Sequence, residues 1–548
     1  MFDIKHFSKT YLSLIFLIFY AFFMVFLGLN NSVLQVDEGA DTFVSSTILK
    51  YALPYHHDGV NSTMEYAQVR NDGLFIYRTW VPYYLQAASL FTFGQTTFAA
   101  RLPFAFLGVL SAVTLYFFAL KLTKSKSVAF LATLFLISSV PAILYFRTAR
   151  YVGLPILLTV ALLYSYITIF EKRKWDPWPL TIISILYFHT MYVAFTGVIL
   201  GVLVHFYISR KSTASENYKR AAQAAIVTAI FTLPWLWFNF PVFAKITEFY
   251  LSTSNQIDTS GWRFLKNLTG FLFQLNNYIF PFILLPLLFM KSLHSYKNEI
   301  LLCLCCITGL IFVSLLHSIP LQQYIAGSFS LWYILLALLI IEGFPGRPAI
   351  RSIFTAILIF TNLIHVGPLL SAKETLKNHP EWFNKNSYTE YAYKSFDREI
   401  RFRSVFYNHL LEISNPYKGP LDEIVNFFKI HGKPDDSCYI DNEAESLAYY
   451  TGMKVIHRDD IKAHDAPNWI VLRGDYRDAV KGNPRSPIAQ NLRAVLQNNH
   501  YVKMELDAPP IRVNNTYDIQ IHLFRSPSSA DKIKVYRLAD RPLKKKTT

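Results

Sequence analysis

Asp37 and Glu38 stand side by side in Val36-Asp-Glu-Gly-Ala-Asp41, directly after an apolar stretch, with Asp41 four positions beyond Asp37. Ionisable groups at a membrane boundary are costly to desolvate, and where they occur they are commonly functional. A solvated turn is the bland reading of Asp-Glu-Gly, so the remaining polar residues must decide. Arg78 and Arg101 follow, then Arg147 and Arg150 in Tyr145-Phe-Arg-Thr-Ala-Arg-Tyr151, then His189 with Tyr192, then Gln322-Gln323-Tyr324. Carboxylates facing guanidinium groups suit transfer of a group from a phosphate to a hydroxyl or amine. A carboxylate takes the acceptor's proton or holds a divalent cation, and the cations stabilise the departing phosphate. In that scheme Asp37 is the base, helped by Glu38 or by a magnesium or manganese ion between them. Arg78, Arg147 and Arg150 face the phosphate, while Asp41, His189, Tyr192, Gln323 and Tyr324 line the cavity.

Each cation and histidine has an ordinary alternative. Arg101 reads as a helix-end arginine snorkelling to headgroups, and a lone histidine such as His189 is more often structural. Arg147 and Arg150 resist that reading, because two cations three residues apart in a very short loop could fork onto phosphate.

The elements that must position these groups are membrane helices. Of 548 residues 52% are apolar and 16% charged, with 46 Phe and 34 Tyr, too apolar for one soluble core. The net charge of +16 would suggest nucleic acid in a soluble protein. Here the basic residues fall in short clusters between apolar runs, so it reads as topology, with no nucleic-acid partner. Cys303, Cys305 and Cys306 share one apolar run and Cys438 stands alone, which gives neither a disulfide framework nor a metal spacing.

Eleven spans are expected, near residues 10–30, 102–121, 127–145, 153–170, 178–190, 192–209, 221–241, 270–290, 299–317, 323–342 and 350–370. With the N-terminus in the cytoplasm, the inner loops carry Lys121, Lys124 and Lys126; Lys172, Arg173 and Lys174; Arg210, Lys211, Lys219 and Arg220; Lys291 and Lys297; Arg347 and Arg351. Every inner loop is then basic, as the positive-inside rule requires. Loop 31–100 lies outside, and Trp80–Phe93 within it is too short to cross and reads as an interfacial helix. Counting it as a span would invert every later loop and break the alternation.

The odd number of spans puts the C-terminal region outside too. From residue 371 the hydropathy drops, leaving roughly 175 residues, enough to bury a core of their own. Strand-like runs are Ser437–Ile440, Met453–His457, Trp469–Leu472, Tyr501–Leu506, Ile519–Phe524 and Lys532–Arg537. Helical runs are Leu421–Ile430, Glu443–Tyr450 and Ile488–Gln497, and the alternation favours a small α/β domain. Nucleotide sugars are confined to the cytoplasm, so a phosphate donor for an outer site would have to arrive in the membrane, as a polyprenyl-phosphate sugar.

The order of these motifs resembles the GT-C superfamily, and within it the protein O-mannosyltransferase and aminoarabinose-transferase branch. The residues that carry the resemblance are Asp37-Glu38 after the first span, the outer helix with Ala100-Arg-Leu-Pro103, Arg147-x-Ala-Arg150, Tyr187-x-His189-x-x-Tyr192 and the tyrosine-led tenth span. It covers roughly residues 10–370, leaving 371–548 as an extracytoplasmic α/β domain. The resemblance implies a multi-pass glycosyltransferase, of the bacterial inner membrane or the endoplasmic reticulum. It would transfer a sugar, with inversion, from a polyprenyl-phosphate donor to a lipid, glycan or protein acceptor at the outer face. It matches Asp37 to the family's first-loop aspartate, Glu38 to its acidic neighbour, Arg147 and Arg150 to a basic pair facing the lipid phosphate, and His189 to a histidine at the cavity mouth. Two positions depart from the pattern: Gln323 stands where relatives often carry arginine, and Thr148 where many carry an acid.

Two other classes compete. A transporter or flippase of a lipid-linked saccharide would place polar groups near the bilayer midplane and repeat its halves, and neither is visible in the sequence. An assembly or sensory protein working through its C-terminal domain would tolerate changes at Asp37 and Arg150.

Overall fold

The computed structural model describes residues 4–63, 72–171, 175–210, 215–253, 261–278, 293–317, 320–360, 404–473, 487–509, 516–519, 522–524 and 532–541. Its larger part is helical: α1 (Ile4–Phe26), α2 (Val36–Tyr51), α3 (Val81–Phe93), α4 (Thr97–Thr123), α5 (Lys126–Ser138), α6 (Val140–Phe146), α7 (Leu154–Glu171), α8 (Trp178–Ser209), α9 (Ser215–Thr253), α10 (Gly261–Tyr278), α11 (Lys297–Ser314), α12 (Phe329–Gly343) and α13 (Pro348–Phe360). Among the described residues six helices are long and apolar enough to cross a membrane, or seven if the bent pair α5–α6 is one span. The expected eleven differ from this for local reasons, the first because the apolar part of α1, Leu12–Phe26, is shorter than a crossing. The pair α5–α6 bends by 68° where Pro141, which has no N–H to donate, opens the second helix. The expected spans 178–190 and 192–209 are the two limbs of α8, broken at Met191 (φ −157°, ψ 86°). Tyr187 and Phe195 pack with ring centroids 6.0 Å apart. Eight residues of straight helix would rise about 12 Å, so the chain bends sharply there. The second parts of the expected spans 270–290 and 350–370, and the boundary at 371, lie outside the described residues.

The described residues of 31–100 form two helices and the start of a third where a loop is expected. Gln35 caps α2: its side chain accepts from Asp37 N at 3.2 Å, and the Glu38 carboxylate returns to Gln35 N at 3.1 Å. The Asp-Glu-Gly stretch is therefore the first turn of a 16-residue helix. The expected interfacial helix is α3, packed against α2 and α4.

The C-terminal part contains α14 (Val405–Ser414), α15 (Pro420–His431), α16 (Ala444–Thr451) and α17 (Pro487–Asn498). Its strands are β1 (Ser437–Ile440), β2 (Lys454–Ile456), β3 (Trp469–Leu472), β4 (Tyr501–Leu506) and β5 (Ile533–Leu538), in sheet order β2-β1-β3-β5-β4. β1 pairs in parallel with β2 and β3, and β5 pairs antiparallel with β3 and β4. Alternation along the strands feeds two cores. Cys438, Ile440, Trp469 and Val471 pack with α15 and α16, whereas Tyr439 and Ile470 pack with Leu492 and Val495 of α17. The expected strand at Ile519–Phe524 does not form among its described residues. The stretch around it serves the site instead.

This domain docks on α2. Gly39 permits the approach, since a Cβ there would come 2.0 Å from Ser446 Oγ of α16. Val33 N donates to Asp422 Oδ1 and Leu34 N to the Tyr450 hydroxyl, both at 2.9 Å.

Candidate active site

Residues four apart share a helix face, so the first turns of α2 present Asp37 and Asp41 together while Glu38 points about 100° away. Asp41 is buried and satisfied. Its Oδ1 accepts from Arg78 Nη1 at 2.5 Å and the Tyr83 hydroxyl at 2.9 Å, and its Oδ2 from Arg150 Nε at 2.9 Å. Asp37 sits at the rim with 43% of its side chain exposed. Its Oδ2 accepts from Arg150 Nη1 at 2.8 Å and the Tyr517 hydroxyl at 2.9 Å. Its Oδ1 accepts no hydrogen bond from a described residue. Burial of its surroundings opposes ionisation of Asp37, but Arg150, Arg78 and the Tyr517 hydroxyl outweigh it and hold the carboxyl below its ordinary value. Arg78 lies across the rings of Tyr77 and Tyr151, at 5.2 and 5.5 Å.

Glu38 belongs to a different constellation. Arg101 grips it bidentately, Nε to Oε1 at 2.8 Å and Nη2 to Oε2 at 2.7 Å. Ala149 N donates to Oε1 at 2.7 Å, and Oε2 also closes the helix cap. Arg101 gives its other donors to the carbonyls of Leu29, Ser32 and Val33. All five of its N–H groups are thereby used inside the protein, and it does not snorkel. The pair joins α2, α4, the exit of α1 and the turn before Arg150.

The two acids therefore do not converge on a cation. Glu38 is enclosed by a guanidinium and two backbone N–H groups, and the Oδ2 of Asp37 is taken by Arg150 and Tyr517. Among the described residues no group of three His, Cys, Asp or Glu side chains could hold a metal. This donor set does not fit a magnesium or manganese ion bridging Asp37 and Glu38.

Arg147 and Arg150 also separate. Arg150 is buried at the acid face, whereas Arg147 Nη1 turns to the carbonyls of Met24 and Val25 at the end of α1 and of Leu27 just beyond it, at 3.3, 2.9 and 2.7 Å. That is the favourable place for a cation at a helix C-terminus. His189 Nε2 meets the Phe231 carbonyl at 3.0 Å and its ring meets Trp235 edge-on. With Trp80, Val81, Tyr84, Leu85 and Trp235 it lines a groove of about 540 Å³ whose lining includes none of the acids. Tyr192 lies just past the α8 break. Tyr324 stacks on His317 with centroids 3.7 Å apart. Gln323 is buried beside it with its Oε1 unpartnered among the described residues.

Sequence reasoning missed Tyr83, the role of Arg101, and Tyr517. The four-residue spacing of Asp37 and Asp41, with Gln35-x-x-Glu38 as a capping box, is a signal that could have revealed α2. Nothing local could have brought Tyr517 across 480 positions.

No protein-family model matches the chain, and no curated protein matches it in sequence. Solved structures do resemble it. The crystal structure of ArnT from Cupriavidus metallidurans in the apo state matches with a TM-score of 0.52 at 12% identity, covering 86% of this chain and 94% of that one. The same protein bound to undecaprenyl phosphate gives a TM-score of 0.50 at 13% identity over the same shares. At such identities the likeness is one of fold.

Proposed function

The chain has the GT-C glycosyltransferase fold, and from that premise we propose that it transfers a sugar from a polyprenyl-phosphate donor to a lipid, glycan or protein acceptor at the outer face of the membrane. The observation that carries this reading is Asp37: a half-exposed carboxylate, kept ionised by two arginines, with Oδ1 unengaged among the described residues. The acceptor oxygen bonds to the sugar's anomeric carbon as the bond from that carbon to the phosphate oxygen breaks. The acceptor's proton passes to Asp37, and the electron pair leaves on the polyprenyl phosphate. A carboxylate whose pKa is held down accepts that proton late, when the bonding oxygen has become strongly acidic.

Arg150 and Arg78 are the phosphate-facing cations in this reading. Arg150 Nη2 makes no hydrogen bond to a described residue, so one arm can reach an oxygen of the leaving group. Glu38, Arg101 and Arg147 position the turn that carries Arg150. The apolar groove at Trp80, His189 and Trp235 suits an isoprenoid chain, and Trp80 lies two residues from Arg78. An ArnT structure with undecaprenyl phosphate bound supports a lipid-phosphate donor for this fold.

The test is purified protein in nanodiscs supplied with a panel of radiolabelled polyprenyl-phosphate sugars and membrane acceptors. Label transferred from at least one donor supports the reading. No transfer from any, beside a working control enzyme, contradicts it.

A further inference from the structure

Asp37 is half-exposed on the first turn of a helix, where a lone aspartate samples several rotamers. In this chain the C-terminal domain restrains it from two directions. On one side Asp422, Tyr450 and Ser446 hold residues 33–39, by hydrogen bonds to Val33 N, Leu34 N and the Gln35 carbonyl. On the other, Tyr517 reaches the carboxylate itself, accepting from Arg150 Nη1 while donating to Asp37 Oδ2 at 2.9 Å.

Resting on the reading of Asp37 as the base, we propose that Tyr517, supplied by the C-terminal domain, is a positioning residue that fixes the Asp37 carboxylate with Oδ1 toward the acceptor.

The placement of Tyr517 is itself built. Its ring lies under the Arg150 guanidinium at 4.9 Å and against Tyr145 at 6.0 Å. The backbone before it is clasped by His522, whose Nδ1 meets the Thr516 carbonyl at 2.6 Å while its Nε2 lies 3.0 Å from Glu412 Oε2. His409 Nδ1 approaches the same carboxylate at 3.3 Å. The clasp therefore ties Tyr517 to α14, and the domain completes the site as well as covering it. Burial raises the phenol's pKa, so Tyr517 stays protonated and can only donate toward Asp37.

Tyr517→Phe removes one hydroxyl and keeps the ring packing. In the transfer assay kcat should fall about ten- to hundredfold, the scale of a misplaced catalytic group, with the KM for donor unchanged. The acid limb of kcat/KM should move to higher pH, because Asp37 loses a hydrogen bond that favours its ionised form. His522→Gln, which loosens the clasp without touching Asp37, should shift the limb the same way by less. An unshifted limb with wild-type kcat in Tyr517→Phe would overturn the proposal. Infrared titration of the carboxylate band that Asp37→Asn removes gives a readout independent of turnover. A higher midpoint in Tyr517→Phe supports the positioning role and an equal midpoint refutes it. Absence of transfer by wild type counts against the glycosyltransferase reading alone.

Discussion

Asp37 and Asp41, one helical turn apart on α2, hold a single arginine between them, with Arg150 Nη1 2.8 Å from Asp37 Oδ2 and Nε 2.9 Å from Asp41 Oδ2. A planar guanidinium spans both carboxylates and a lysine ammonium cannot. Arg150→Lys should cut kcat at least tenfold while the protein remains folded. Asp41→Asn leaves two guanidinium groups under-compensated in a buried site, and should cost about 3–5 kcal/mol of stability, the scale for a broken buried pair. Chemical unfolding in detergent measures the second effect, and transfer kinetics the first.

Glu38, the immediate neighbour of Asp37, should behave quite differently on substitution. Its oxygens are consumed by Arg101 and two backbone N–H groups, so Glu38→Gln should lower folded yield and thermal midpoint. The folded fraction should keep most of its turnover. Activity normalised to folded protein separates this from Asp37→Asn, which should fold normally and fail to turn over.

Arg147 caps the C-terminal carbonyls of α1 and stands apart from the acid face. Arg147→Gln should leave the KM for the lipid donor within about twofold and reduce stability by about 1–2 kcal/mol, the upper range for a cation at a helix C-terminus. A large rise in donor KM would return Arg147 to the phosphate.

The helices α4, α5, α7, α9, α11 and α12 were legible because long apolar runs and basic clusters encode membrane burial directly, whereas the bend into α6, the joining of two expected spans in α8 and the start of α10 at Gly261 rather than near 270 were not. The strands β1 to β5 were legible for a related reason: short β-branched and aromatic runs between turn residues. α2 was not, because its 16 residues are polar enough to pass for a loop, and its identity rests on a cap and on burial against α16. The split between Asp37 and Glu38 follows from helical rotation once α2 is known. The split between Arg147 and Arg150 follows from the path of one turn, which spacing does not specify. Tyr517 meets Asp37 only through the docking of the C-terminal part on α2, and the His522–Glu412 clasp joins positions 110 residues apart, so local sequence carries no trace of either.

The stability of the C-terminal part should depend on pH through the clasp. Burial opposes charge on His522, but Glu412 overcomes it and His522 is raised above its ordinary 6.5. Its contribution to stability is full below 6.5 and is lost as pH rises through the raised folded value. Burial likewise opposes ionisation of Glu412, yet His522 and His409 hold it below its ordinary 4.5, so its contribution is present above 4.5 and lost as pH falls through the lowered folded value. His409, which burial pushes down, subtracts stability as pH falls below 6.5, and the Arg147 charge opposes both histidines. Thermal midpoints of the wild type should decline as pH is raised above 6.5. In His522→Gln that decline should be absent.

The central claim is that Asp37 performs the chemistry, and the direct measurement is single-turnover transfer of labelled sugar from a working polyprenyl-phosphate donor, comparing wild type with Asp37→Asn at equal folded abundance. The account predicts loss of at least a hundredfold, the scale for removing a general base, with donor binding retained. Transfer by Asp37→Asn at the wild-type rate would contradict it.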